Sequence, residues 1–120
     1  KRKKYNMQFV NINEHTIHYK YLQHSSLGNE GRTFLFINSL GTDFRIWDEV
    51  VEALKGYGNI ILLDKRGHGL SDVVTGTKGL DDFADDAAAL LNFLHINKFI
   101  IVGSYISIVF SIVYRQITYF

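Results

Sequence analysis

No cysteine occurs in the 120 residues, which excludes a disulfide framework, a thiol nucleophile and a thiolate metal site. Proline is absent too, where about 5 per cent is usual, so glycine carries most of the punctuation of the chain. Charge of one sign is also lacking. Thirteen Lys plus Arg stand against twelve Asp plus Glu, a formal net charge of +1, which gives no global electrostatic reason to expect nucleic acid or an acidic membrane as partner. No uncharged run reaches the ~20 residues that span a bilayer. Residues 99–114 come nearest, and their first part is better explained as a buried strand than as membrane. With 47 per cent hydrophobic and 21 per cent charged residues, the composition is globular, and the length is enough for one domain and too short for two.

Lys1-Arg2-Lys3-Lys4 opens the chain, but Tyr5-Asn6-Met7-Gln8 follows where a signal peptide would need an apolar run. Residues 1–7 therefore read as a basic, solvated, flexible arm, and the domain begins at residue 8. From 8 to 21 the residues alternate around a polar break at Asn13-Glu14, a β-hairpin pattern. After a polar, glycine-bearing loop, Thr33-Phe34-Leu35-Phe36-Ile37 and Asn59-Ile60-Ile61-Leu62-Leu63 are continuous apolar runs that fit buried strands. Lys98-Phe99-Ile100-Ile101-Val102 reads as a third.

Between these runs the periodicity changes. Trp47, Val50, Val51 and Leu54 recur at helical spacing and predict one buried face of a short helix, ended by Gly56 and Gly58. Leu80, Phe83, Ala87, Leu90, Leu91 and Leu94 predict a second helix. Asp81, Asp82, Asp85 and Asp86 crowd its first turns, where the helix dipole favours negative charge. Their spacing fits a solvated face, and no metal site is expected from them. Strand and helix thus alternate from Thr33 onward, which argues an α/β fold with a parallel sheet and crossover helices.

In such a sheet the site lies beyond the carboxyl ends of the strands. The informative residues are therefore 38–43, 64–72 and those from Gly103 onward. Backbone N–H groups of a loop and of a helix start can converge there on a developing oxyanion. A phosphate site is the weaker reading, because Gly67-His68-Gly69 lacks the third glycine of a dinucleotide turn and no P-loop occurs.

Phe36-Ile37-Asn38-Ser39-Leu40-Gly41-Thr42-Asp43-Phe44-Arg45-Ile46-Trp47, followed by Leu63-Asp64-Lys65-Arg66-Gly67-His68-Gly69-Leu70-Ser71-Asp72, resembles the amino-terminal half of an α/β-hydrolase. More narrowly it resembles the 3-oxoadipate enol-lactonases, in which Asn-Ser-Leu-Gly-Thr stands in place of the commoner His-Gly run. Asp81-Asp82-Phe83-Ala84-Asp85-Asp86 and Val102-Gly103 continue the match. The resemblance implies a cytoplasmic, cofactor-free hydrolase of a small ester or lactone, working through a serine acyl-enzyme. It further implies Leu40 and Tyr105 as oxyanion donors, and Asn38, Ser39 and Trp47 beside the pocket. Asp64, Arg66, Gly67 and Gly69 would form an architectural loop in which Arg66 ties neighbouring loops together, with His68 bracing it.

The chemistry itself departs from the family. Such hydrolases carry Gly-x-Ser-x-Gly at a strained strand-to-helix turn, and this chain reads Gly103-Ser104-Tyr105-Ile106-Ser107-Ile108. Without a gap, Tyr105 takes the nucleophile's place. With one residue deleted, Ser104 becomes the candidate nucleophile, but the β-branched Ile106 then crowds a position that needs glycine. None of His15, His18, His24, His68 or His95 stands where the catalytic histidine would, and of the charged residues only Arg115 lies after Lys98. The expectation is a hydrolase domain over residues 8–120, truncated near the nucleophile turn, divergent over 98–120 and inactive alone. The alternative is a non-catalytic remnant that forms a homo-oligomer through the strand edge left exposed near Val102.

Overall fold

Asn13 and Glu14 both take positive φ, 51° and 68°, the two-residue turn whose twist suits a hairpin. It joins β1 (Gln8–Ile12) to β2 (His15–Leu22), with Val10 opposite Ile17 and Ile12 opposite His15. The computed structural model describes residues 8–24, 32–38, 41–77 and 79–103. The basic arm at 1–7 and the divergent stretch from 104 onward lie outside these. The remaining elements are β3 (Arg32–Ile37), a 3₁₀ turn (Phe44–Trp47), α1 (Asp48–Leu54), β4 (Gly58–Leu63), α2 (Leu80–Phe93) and β5 (Ile100–Gly103).

The sheet order is β1-β2-β4-β3-β5. β2 runs antiparallel to β4, while β3 is parallel to both β4 and β5. The chain thus leaves β3 for β4 on one side, then returns past it to β5 on the other. Crossovers of one hand can do this only by laying their two helices on opposite faces. That is the arrangement found, because period-2 alternation sorts the apolar runs between two clusters. Leu35, Ile37, Ile61 and Leu63 pack with Ala84, Ala87, Leu90 and Leu91 of α2. Phe34, Phe36, Ile60 and Leu62 pack with Phe44 and Val51 on the α1 side.

Four expectations need correction. Val50 is exposed, because a seven-residue helix buries only the narrow stripe of Val51 and Leu54 continued from Trp47. Gly58 does not end α1, whose last residue is Leu54. It opens β4, where a Cβ would fall on the carbonyl oxygen of Arg32. β5 is not a buried strand: it starts two residues later than the run suggested, Ile100 is 45% exposed, and its other residues are half-buried or exposed. The reason is positional, since among the described residues it pairs with β3 alone. Asp86, finally, does not belong to a solvated face. It is fully buried, three residues after Phe83 and four before Leu90, inside the stripe that α2 turns toward the sheet.

Candidate active site

The point where strand order reverses is the carboxyl end of β3, and Ile37 is there in register with Gly103 of β5. The carboxyl ends of β3 and β5 thus lie side by side. Just after the first, Asn38 is fully buried; its Nδ2 donates to the Thr42 carbonyl at 2.5 Å and to Thr42 Oγ1 at 3.1 Å. These bonds draw the loop into a tight bend, completed by Gly41 at φ +81°. Asn38 Oδ1 is buried without a partner. Trp47 packs on Phe36 in the cluster under α1, with ring centroids 5.2 Å apart. Ser39, Leu40, Ser104 and Tyr105 lie outside the described residues.

Two side chains of the segment after β4 hold this loop by its backbone. Lys65, itself buried, donates from Nζ to the Asn38 carbonyl at 2.7 Å. Burial pushes its ammonium down to about 8, against the raising influence of the Asp64 carboxylate. His68 accepts the Gly41 N–H at Nε2, 2.9 Å, while Nδ1 donates to the Arg66 carbonyl at 3.0 Å. The loop after β3 is therefore gripped at both ends by the loop after β4.

Asp64 anchors that second loop. Its Oδ1 accepts the Phe44 N–H at 3.1 Å; its Oδ2 accepts the Leu70 N–H at 3.1 Å and His18 Nδ1–H at 2.8 Å. Gly69 lies so close that a Cβ there would overlap the carboxylate, and its φ is +51°. Gly67, at φ +75°, donates its N–H to the Asp72 carbonyl at 2.7 Å. Ser71 Oγ bonds the Asp64 carbonyl at 2.6 Å and receives the His18 N–H. Residues 64–72 are thereby tied to β2.

Arg66 reaches the other way. Nε and Nη2 form a two-pronged bond to the Asp86 carboxylate, both at 2.8 Å, and further bonds run to Thr77 Oγ1 and the Asp82 carbonyl. The hydrogen bond to Asp86 raises the guanidinium above its ordinary value. The same carboxylate meets His15 Nε2 at 3.1 Å and Asn13 Nδ2 at 3.0 Å. One buried acid thus joins the hairpin turn, the loop after β4 and α2. Sequence reasoning named neither Asp86, Lys65 nor His18 as site-forming. Only Asp86 left a signal, an acid placed within an apolar helical stripe.

Among the described residues no group of three or more His, Cys, Asp or Glu is placed to hold a metal, and no helix is long and apolar enough to cross a membrane. An open hollow of about 890 Å3 lies between β2 and α1, lined by Leu22, His24, Val51 and Leu62. It sits toward the amino end of β4, since Leu22 pairs with Ile60 there, and so away from the strand ends just described.

No family model matches the chain. Its sequence is 42% identical over 64 residues to 3-oxoadipate enol-lactonase 1 of Acinetobacter baylyi, covering 53% of this chain and 24% of that protein. It is 33% identical over 76 residues to 3-oxoadipate enol-lactonase 2 of the same organism, covering 62% and 28%. The crystal structure of the enol-lactonase from Burkholderia xenovorans LB400 superposes with a TM-score of 0.75 at 27% identity, over 82% of this chain and 37% of that one. The chain carries the amino-terminal part of an enol-lactonase-like α/β-hydrolase fold. It spans about a quarter of the length of the curated relatives it matches. In this enol-lactonase-like fold the loop 38–42, the loop 64–72 and Gly103 stand together at one end of the sheet.

Proposed function

We propose that this chain is the part of an ester- or lactone-cleaving hydrolase, of the enol-lactonase kind, that builds the floor and one wall of the active site. The carrying observation is the register of Ile37 with Gly103, which sets the carboxyl ends of β3 and β5 side by side. With Ser104 as nucleophile, its Oγ gives its proton to a base and attacks the acyl carbon, and backbone N–H groups of Leu40 and Tyr105 stabilise the oxyanion that forms. Collapse of the oxyanion expels the alkoxide or enolate, which takes up that proton, and water then cleaves the acyl-enzyme to free the acid and the serine. On this reading Asn38, Ser39 and Trp47 belong to the pocket, and Asp64, Arg66, Gly67 and Gly69 hold its wall in shape. The chemistry needs no metal or organic cofactor, and the compartment that fits it is the cytoplasm.

A serine of this kind requires a base, which in α/β-hydrolases is a histidine that follows the nucleophile in chain order, and all five histidines of this chain precede Ser104. The chain by itself is therefore inactive on lactones, and activity returns only with residues that supply an acid and a histidine. The test is hydrolysis of an enol-lactone by the chain alone and joined to the carboxyl-terminal part of an enol-lactonase. The joined protein turns over and its Ser104→Ala variant does not; turnover that survives Ser104→Ala removes Ser104 from the reading.

A second reading draws on the open edge of β5, where Ile100 is 45% exposed. The chain then acts as a non-catalytic module that pairs with a second copy through that edge. Sedimentation separates the two: a concentration-independent monomer sinks the second reading.

A further inference from the structure

Where β2 lies against the end of β4, an imidazole is held as a base is held in acyl-transfer enzymes. His18 Nδ1 lies 2.8 Å from Asp64 Oδ2, and the two side chains are only 10% and 3% exposed. Asp64 is fixed in turn by the N–H groups of Phe44 and Leu70. Because an ionised carboxylate only accepts, the Nδ1 nitrogen carries the proton and Nε2 carries the lone pair. Nε2 makes no hydrogen bond among the described residues and is not one of the sealed atoms left without a partner. The side chain is one of those that line a surface cavity. The ring plane is set by Phe9 and Phe44, whose centroids lie 4.9 and 5.0 Å away. Beside it is a cavity of about 380 Å3 lined by His18, Phe44, Arg45, Asp64, Gly69 and Leu70 together with Asp43.

We propose that His18, with Asp64 as its positioning residue, is a second nucleophilic centre that takes acyl groups from small, uncharged, activated esters. The cavity lining offers no unoccupied guanidinium to an anionic donor, because Arg45 is held by Asp43 with bonds of 2.8–3.2 Å. In the reaction the Nε2 lone pair attacks the ester carbonyl carbon, the N–C bond forms, and the aryl oxide leaves with the electron pair of the broken C–O bond. Asp64 stabilises the imidazolium character that develops. Water then adds to the acyl-imidazole; Nε2 departs with its bonding pair, and the carboxylic acid releases its proton to solvent. Ester and water become acid and phenol, with no other reactant.

The centre does not depend on Ser104, and the test uses that. The whole chain is assayed with 4-nitrophenyl acetate beside His18→Asn, whose amide can still donate to Asp64, and beside Ser104→Ala and His95→Asn. Release above the solution rate is expected, lowered tenfold or more in His18→Asn and unchanged in His95→Asn, which alters an exposed histidine with no part in either centre. Release lost in Ser104→Ala but kept in His18→Asn overturns the inference while leaving the Ser104 reading intact; no release above the solution rate overturns it as well. A second measurement needs no variant. The unaltered chain is treated with diethyl pyrocarbonate and the modified histidines are mapped by mass spectrometry. His18 is expected to be labelled at least as fast as the exposed His95, whereas a histidine merely packed in the core is protected. His18 left unlabelled while His95 reacts overturns the inference.

Discussion

β4 lies between β2 and β3, with α2 over one face and α1 over the other, and all six of its residues are buried. Among the described residues β5 pairs with β3 alone, and none of its four residues is buried. The two strands carry nearly the same kind of side chain, so what separates them is neighbours and not composition. The loop that leaves β4 inherits its strand's rigidity: Asp64, Lys65 and Arg66 are each clamped to a different element. Among the described residues, the loop after β4 is thus firmly built, while β5 has β3 as its one strand neighbour.

The largest test of this contrast is Asp86→Ala. It leaves the Arg66 guanidinium and His15 in a buried position without their shared carboxylate, and removal of one partner of a buried ion pair costs about 3–5 kcal/mol. Denaturant unfolding is expected to show a loss of that size, and a change below about 1 kcal/mol would mean that the loop after β4 is not anchored through α2. Next comes a matched pair of truncations. Ile61→Ala in β4 is expected to cost about 2–5 kcal/mol, since the side chain is wholly buried. Ile100→Ala in β5 is expected to stay within about 0.5 kcal/mol. Equal losses would show that β5 is covered in solution, as the edge-paired dimer requires.

The smallest effect concerns Lys65. Its folded value of about 8 lies below the ordinary 10.5, so between these two pH values the unfolded chain binds more protons than the folded one. Stability therefore rises with pH across that window. Relative to Lys65→Met, the unaltered chain is expected to gain on the order of 1 kcal/mol between pH 8 and 10.5, reduced from the full shift by solvent screening. A flat difference curve would show that the ammonium keeps its ordinary hydration.

Much of this architecture was legible in the residues. Alternation in β1 and β2, unbroken apolar runs in β3 and β4, and the 3–4 spacing of α2 each encode one period that only one element satisfies. Asn38, Asp64 and Arg66 were legible through the motifs that contain them. The rest depended on partners far away in sequence. His18 meets Asp64 across 46 residues and Lys65 meets Asn38 across 27, and no local pattern encodes either meeting. The open edge of β5 was foreseen, but its run was still read as a buried strand, because an apolar run specifies a wish for cover and not its supply. Asp86 was read with its acidic neighbours, although its place in the stripe of Phe83 and Leu90 set it apart.

The buried carboxylate of Asp86 also bears on the order in which the chain can assemble. Its bonds to Asn13 and His15 close gaps of 73 and 71 residues, while its bonds to Arg66 close one of 20. Loop closure on the longer scale carries the greater entropic cost. The arginine fork can form as soon as β4 and α2 dock, whereas the hairpin turn reaches the same acid only when β2 has been laid against β4. The acid therefore works as a latch that rewards the finished sheet, the second pair of bonds closing on a geometry the first pair has already fixed.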